Sequence, residues 1–185
     1  MPPTALAISS AIGRGVSASL VLLAVGALLL VFELWWAYFK HPFADGLRGP
    51  LRRTVWWAYA HYLVFGSAAA LGAGLEVAVD AAAHGEVSSA VAAWSVAVPV
   101  TVYLIVLMRL DRCFDAANPS QPLVVGAAVL LLIAAGFVAA LGIGIAVLIM
   151  GVIVAALVAS SVALARRHGF APAAAATTDE PVDPS

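Results

Sequence analysis

Charged side chains are scarce in this chain, at 10% of its 185 residues, whereas hydrophobic residues make up 64%. Soluble domains carry about 25% charged residues and about 45–50% apolar ones. The composition therefore excludes an ordinary soluble domain and predicts an integral membrane protein in contact with the lipid bilayer. The net charge of −1 carries little information, because charges of the two signs lie in different loops and cancel in the sum.

Cysteine and lysine each occur once. The single cysteine, Cys113, excludes an intrachain disulfide and leaves no cysteine cluster for zinc or an iron–sulfur centre. One lysine stands against eight arginines in a chain rich in alanine, valine and glycine, which is typical of a GC-rich bacterial genome. We therefore expect a multi-pass protein of the bacterial inner membrane.

Motifs of catalysis and cofactor binding are missing as well. The sequence has no G-x-G-x-x-G, P-loop, H-E-x-x-H or serine-elbow pattern, so we expect neither a catalytic residue nor an enzyme. His61 is the only histidine well inside an apolar segment, which disfavours haem, and its pairing with Glu33 would lack a third metal ligand. We therefore predict no cofactor, no metal and, for want of a basic patch, no nucleic-acid partner.

The apolar segments predict an all-α membrane domain of about five spans. Each of the first three is at least as long as the roughly 20 residues that a bilayer requires, and the third carries Pro99 at its centre. The last apolar stretch is charge-free and twice as long as one span, so a turn at Gly142 to Gly144 should divide it into a tight hairpin. The predicted spans are 17–39, about 50–79, about 88–110, and two helices within 123–165. The predicted regions are an N-terminal segment at 1–16, a single transmembrane domain at 17–167 and a disordered tail at 168–185.

Basic residues predict the orientation. With five spans, eight of the nine lysines and arginines fall on one side, and only Arg14 falls on the other. By the positive-inside rule the crowded side is cytoplasmic, so we expect the N-terminus outside and the C-terminus inside. The residues on the crowded side are Lys40, Arg48, Arg52, Arg53, Arg109, Arg112, Arg166 and Arg167.

Two tryptophan pairs face each other across the first basic loop: Trp35 and Trp36, then Trp56 and Trp57. Tryptophan concentrates at membrane interfaces, so we interpret all four as interfacial anchors rather than as a ligand cage.

Three polar side chains are predicted to share one layer inside the membrane. Glu33, His61 and Tyr103 each lie about six to eight residues from the cytoplasmic end of a helix, or roughly 10 Å at 1.5 Å per residue. Together they form a candidate proton or ion relay, because a carboxylate at this depth needs a donor. The alternative is that Glu33 and His61 pair only to fix how two helices dock, worth about 1 kcal/mol.

A second acidic feature lies near the outer end of the second helix. Glu76 and Asp80 are four residues apart and therefore share a helix face. They form a candidate outer cation site, and the alternative is a solvated helix end.

Several of these segments resemble the low temperature requirement protein A family of bacteria. The run FELWWAYF, a basic loop, WAYAHYLVFGSAAALGAGLEVAV, a third helix ending in MRLDR and a charge-free hairpin are similar to the C-terminal half of that family, over about residues 20–165. The residues that carry the resemblance are Leu34, Trp35, Trp36, Tyr38, Phe39, Tyr59, His61, Gly74, Leu75 and Glu76.

The resemblance implies a multi-pass membrane protein and supplies no substrate. Members of the family are about twice as long, so we expect either a fragment or a half-sized chain that forms a homo-oligomer or pairs with a second membrane chain supplying the missing half. The leading hypothesis is a transport or permeation component with an intramembrane Glu/His relay. The alternative is a non-catalytic structural or partner-binding membrane subunit.

Overall fold

The computed structural model describes residues 17–39, 51–114 and 121–169, and within these ranges all regular structure is helical. The predicted all-α architecture of five helices is confirmed. The predicted N-terminal segment at 1–16, the loop at 40–50 and most of the predicted tail, 170–185, lie outside the described residues. The elements are α1 (Ala18–Phe39), α2 (Leu51–Ala83), α3 (Ser89–Phe114), α4 (Gln121–Phe137), a 3-10 turn (Val138–Leu141) and α5 (Ile143–Gly169).

Short polar residues and glycines set the helix boundaries. The Ser17 hydroxyl accepts from the Leu20 amide at 3.3 Å, and Ser88 does the same for Val91 at 3.4 Å, which caps α1 and α3. Helix α2 continues four residues past its predicted end at residue 79. The alanines at 81–83 are strong helix formers, and Gly85, with a φ of 71°, supplies the left-handed residue that ends the helix.

The predicted division of the last apolar stretch is confirmed. Gly142 has a φ of 107° and separates the 3-10 turn from α5. Helix α4 has 17 residues and the 3-10 turn has 4. At about 1.5 Å and about 2 Å per residue, they extend for roughly 33 Å together, close to the thickness of the hydrocarbon core. Four other segments are long and apolar enough to cross a membrane alone.

The most extensive packing of α5 is with α1, the helix farthest from it in sequence, and exceeds its packing with α4. A Cβ atom added at Gly26 would lie 2.6 Å from the Leu148 amide nitrogen, and one added at Gly151 would lie 2.9 Å from the Gly26 carbonyl oxygen. Gly144 likewise meets the Ser19 carbonyl. Because residue numbers rise together along both helices, α1 and α5 are parallel. Helix α4 and the 3-10 turn bring the chain back from the end of α3 to the start of α5.

Helices α2 and α3 form a second tight pair around Pro99. Proline lacks an amide hydrogen, so the Ser95 carbonyl, four residues earlier, loses its partner within the helix. Gly74 of α2 lies directly against that carbonyl, where any Cβ would overlap it. The Ser95 hydroxyl in turn donates to the carbonyls of Gly74 at 3.3 Å and Ala92 at 2.8 Å. The backbone interruption in α3 is thus covered by α2.

These contacts predict opposite effects for two glycines of α2. Gly74→Ala should destabilise the protein by about 1–3 kcal/mol, because backbone atoms must move apart to admit the methyl group. Gly72→Ala should be neutral or stabilising by up to about 1 kcal/mol, because nothing lies within 4 Å of its Cβ position and alanine is the better helix former. The measurement is the free energy of unfolding in lipid bicelles, and equal effects of the two substitutions would contradict the prediction.

Candidate functional site

His61 of α2 makes hydrogen bonds through both ring nitrogens, and one of them joins α2 to α1. Its Nδ1 lies 2.7 Å from the Trp57 carbonyl oxygen, one turn earlier in the same helix. Its Nε2 lies 2.8 Å from the Tyr38 hydroxyl oxygen. A carbonyl oxygen only accepts, so Nδ1 must carry a hydrogen, and in the neutral ring Nε2 then accepts from the Tyr38 hydroxyl. When the ring takes a second proton, Nε2 becomes a donor and Tyr38 becomes the acceptor.

Aromatic rings surround the half-buried imidazole. The Trp57 ring centroid lies 4.0 Å away, and the Tyr38 ring meets it edge-on at 5.8 Å with an interplanar angle of 88°. Phe65, one turn further along α2, lies at 6.1 Å. The Trp57 indole nitrogen is buried without a hydrogen-bond partner in the described part of the chain. His61 is therefore held in one orientation, with Tyr38 as its polar partner on α1.

Tyr103 of α3 reaches the same face of α1. Its hydroxyl donates to the Leu34 carbonyl at 3.1 Å, and only 7% of the residue is exposed. Leu34 precedes Tyr38 by one helical turn of α1. Tyr103 and His61 therefore contact neighbouring turns of α1, as expected for residues at similar depth.

Glu33 lies on a different side of α1 from Tyr38. It follows Ser19 and Gly26 at intervals of seven residues, and Val158 follows Gly144 and Gly151 at the same intervals on α5. Ser19 contacts Gly144 and Gly26 contacts Gly151 where α1 packs on α5, and Glu33, seven residues further along α1, is half-buried. Between described residues, no hydrogen bond joins Glu33 to His61 or His61 to Tyr103. The three-residue relay stays a prediction.

Tyr38 is the site residue that sequence reasoning missed. In the sequence it stands out only as part of the aromatic ending of the first helix. Counting residues from the loop gives no signal for this pair, since Tyr38 lies one residue before the end of α1 and His61 lies ten residues after the start of α2.

The two acidic residues near the other end of α2 are exposed. Asp80 lies 3.3 Å from the Nδ1 atom of His84, and both side chains are about two-thirds solvent-accessible. The described residues contain no cluster of three or more side chains that could hold a metal ion. Glu76 and Asp80 thus lie on an open helix surface, and their role as a cation site stays a prediction.

The four tryptophans divide into two kinds. Trp35, Trp36 and Trp56 are 45–62% exposed, as residues facing lipid would be, and Trp35 packs on Phe39 with ring centroids 4.9 Å apart. Trp57 is half-buried against His61. Their role as interfacial anchors stays a prediction, and Trp57 has the additional contact with the imidazole.

The long apolar helices of the described ranges define a multi-pass helical membrane protein. The chain belongs to the family of bacterial low temperature requirement A proteins (LtrA), whose family model matches residues 4–162. The resemblance found in the sequence is therefore confirmed, with the match starting earlier than expected. Neither the curated proteins nor the solved structures contain a match to the chain.

The hydrogen bonds of His61 lead to a prediction for Tyr38→Phe. Removing the hydroxyl should leave the Nδ1 hydrogen in place and shift only the Nε2 resonance of ¹⁵N-labelled His61. The loss of unfolding free energy should be about 0.5–1.5 kcal/mol, the net value of one hydrogen bond. Solid-state NMR in lipid measures the Nε2 resonance, and unfolding in lipid bicelles measures the free energy.

Tyr62→Phe is the matched control, because Tyr62 is 75% exposed on the same helix as His61. An Nε2 resonance that is unchanged in Tyr38→Phe, or changed equally in the control, would rule out Tyr38 as the partner of His61.

Proposed function

We propose that this LtrA chain is a membrane transport or permeation component in which His61 accepts and releases a proton. The observation that carries the proposal is the pair of hydrogen bonds at the imidazole, inside the apolar segment Thr54–Ala83. Ionisable side chains are costly inside a membrane and often mark ion or proton pathways. Because Nδ1 donates its hydrogen to the Trp57 carbonyl, Nε2 is the ring nitrogen that can accept and release a proton.

Tyr38 gives the proton a route to and from Nε2. A hydroxyl both donates and accepts, so it can hand a proton to the ring and take one from another group by rotating. In the described geometry Tyr38 is the residue of α1 that hydrogen-bonds His61. Glu33 and Tyr103 stay as predicted members of the relay. We further propose that the protein is not an enzyme and that it lies in the bacterial inner membrane with its N-terminus outside.

A structural or partner-binding subunit is the second candidate function. The observation in its favour is the open surface of α2, where nothing lies within 4 Å of the Cβ positions of Gly66 and Gly72. Small residues of this kind allow another helix to approach closely in a membrane. The partner would be a second copy or a separate membrane chain that supplies further helices. Native mass spectrometry from nanodiscs tests this candidate, because a partner-binding subunit requires a second chain in the particle and a monomer would contradict it.

The proposed proton role is tested by flux into liposomes. We expect purified protein in proteoliposomes with an internal pH-sensitive dye to dissipate an imposed proton gradient faster than protein-free liposomes. His61→Gln, which keeps hydrogen-bonding capacity and loses the titrating group, should reduce the rate to that of protein-free liposomes. Tyr38→Phe and Glu33→Gln are measured alongside to establish which of them belongs to the pathway.

His84→Gln is the control, because His84 is exposed in the turn after α2. It should retain the wild-type rate. Wild-type flux in His61→Gln, with its helix content and monodispersity intact, would remove His61 from the proton pathway.

A further inference from the structure

Four of the five helices pack as two tight pairs, α1·α5 and α2·α3, and α4 packs against α3 and, less extensively, against α5. Within α1·α5 and within α2·α3, glycines bring backbone atoms against each other, and these are the two most extensive helix contacts in the described structure. Contacts of α1 with α2 and of α3 with α5 are much less extensive. Large side chains of both pairs are fully buried, among them Leu30, Val100 and Met150.

Two hydrogen bonds between described residues join the pairs, and both lie toward the same end of the bundle. Tyr38 of α1 bonds His61 of α2, and Tyr103 of α3 bonds the Leu34 carbonyl of α1. We call this the aromatic end, defined as the end where α1 finishes at Phe39 and α2 begins at Leu51. At the opposite end, Gly74 and Ser95 meet inside one pair, and their hydrogen bond does not join the pairs.

We propose that α1·α5 and α2·α3 move as two rigid units, and that the Tyr38 and Tyr103 hydrogen bonds form a latch that holds the aromatic end closed. Backbone contacts at glycine leave little room for rearrangement within a unit, because closely packed backbones shift only together. Hydrogen bonds between membrane helices are individually weak, so two of them set a population of closed molecules and do not lock the bundle. Opening would separate α1 from α2 beside His61 and expose the imidazole from that end.

The latch is tested with distances between spin labels in nanodiscs, in a Cys113→Ser background that removes the chain's only cysteine. The reporting pair is Phe39→Cys on α1 with Leu63→Cys on α2, both at exposed positions of the aromatic end. We expect Tyr38→Phe combined with Tyr103→Phe to lengthen this distance by at least about 2 Å or to add a second, longer component, since helix shifts at interfaces are about 1–2 Å or larger.

Two further label pairs separate unit motion from general loosening. Leu63→Cys with Ile105→Cys lies within α2·α3 at the aromatic end, and Val21→Cys with Val79→Cys joins α1 to α2 at the opposite end; all these positions are exposed. Both distances should stay at their wild-type values. A shift of the within-unit distance would contradict the two rigid units.

The control for the tyrosine substitutions is Tyr59→Phe with Tyr62→Phe, which removes two hydroxyls from exposed positions of α2. It should leave all three distances unchanged. A reporting distance in the latch variant that equals wild type, at unchanged helix content, would overturn the latch. Because no flux is measured, this outcome leaves the proton role of His61 untouched, and a failed flux experiment leaves the latch standing.

Discussion

The fold depends on the close approach of helix backbones at glycine. In lipid the hydrophobic effect does not drive helices together, so association relies on dispersion contacts and on small residues that bring main chains close. Gly26 and Gly151 serve this purpose between α1 and α5, and Gly74 does so between α2 and α3, where it also covers the carbonyl freed by Pro99. The polar contacts at Tyr38 and Tyr103 depend on helix positions that these glycines establish.

Helix number and helix ends were largely predictable from the sequence, because both depend on local chemistry. A span is recognised by its apolar length, and its ends by serine, glycine and charge. The turn at Gly142 was predicted correctly for this reason, and the end of α2 was misplaced by four residues because alanines continue the helix past Asp80. Which helices pack against each other was harder to predict. The hairpin of the last two helices was expected, whereas the larger contact of α5 with α1 joins the two ends of the described chain and leaves no local signal.

For the candidate site, the sequence predicted the depth of residues in the membrane but not the rotation of α1 about its axis. Counting residues from the membrane interface placed His61 and Tyr103 at similar depth, which the contacts of both residues with neighbouring turns of α1 support. The count could not show which side of α1 faces α2, because α1 is apolar almost all round and its pattern marks no inner face. Glu33 was therefore expected beside His61, and the residue of α1 that hydrogen-bonds His61 in the structure is Tyr38.

The parallel pairing of α1 with α5 also has a consequence for biogenesis. During synthesis the helices enter the membrane in order, and α1 gains its principal partner only when the last helix has been made. Helices α2 and α3 can assemble earlier, because they are adjacent in sequence and a turn of a few residues joins them. Until α5 arrives, the glycine surface of α1 faces lipid or another protein. The interval between insertion of α1 and completion of α5 is thus the period in which the chain is most exposed to mispairing.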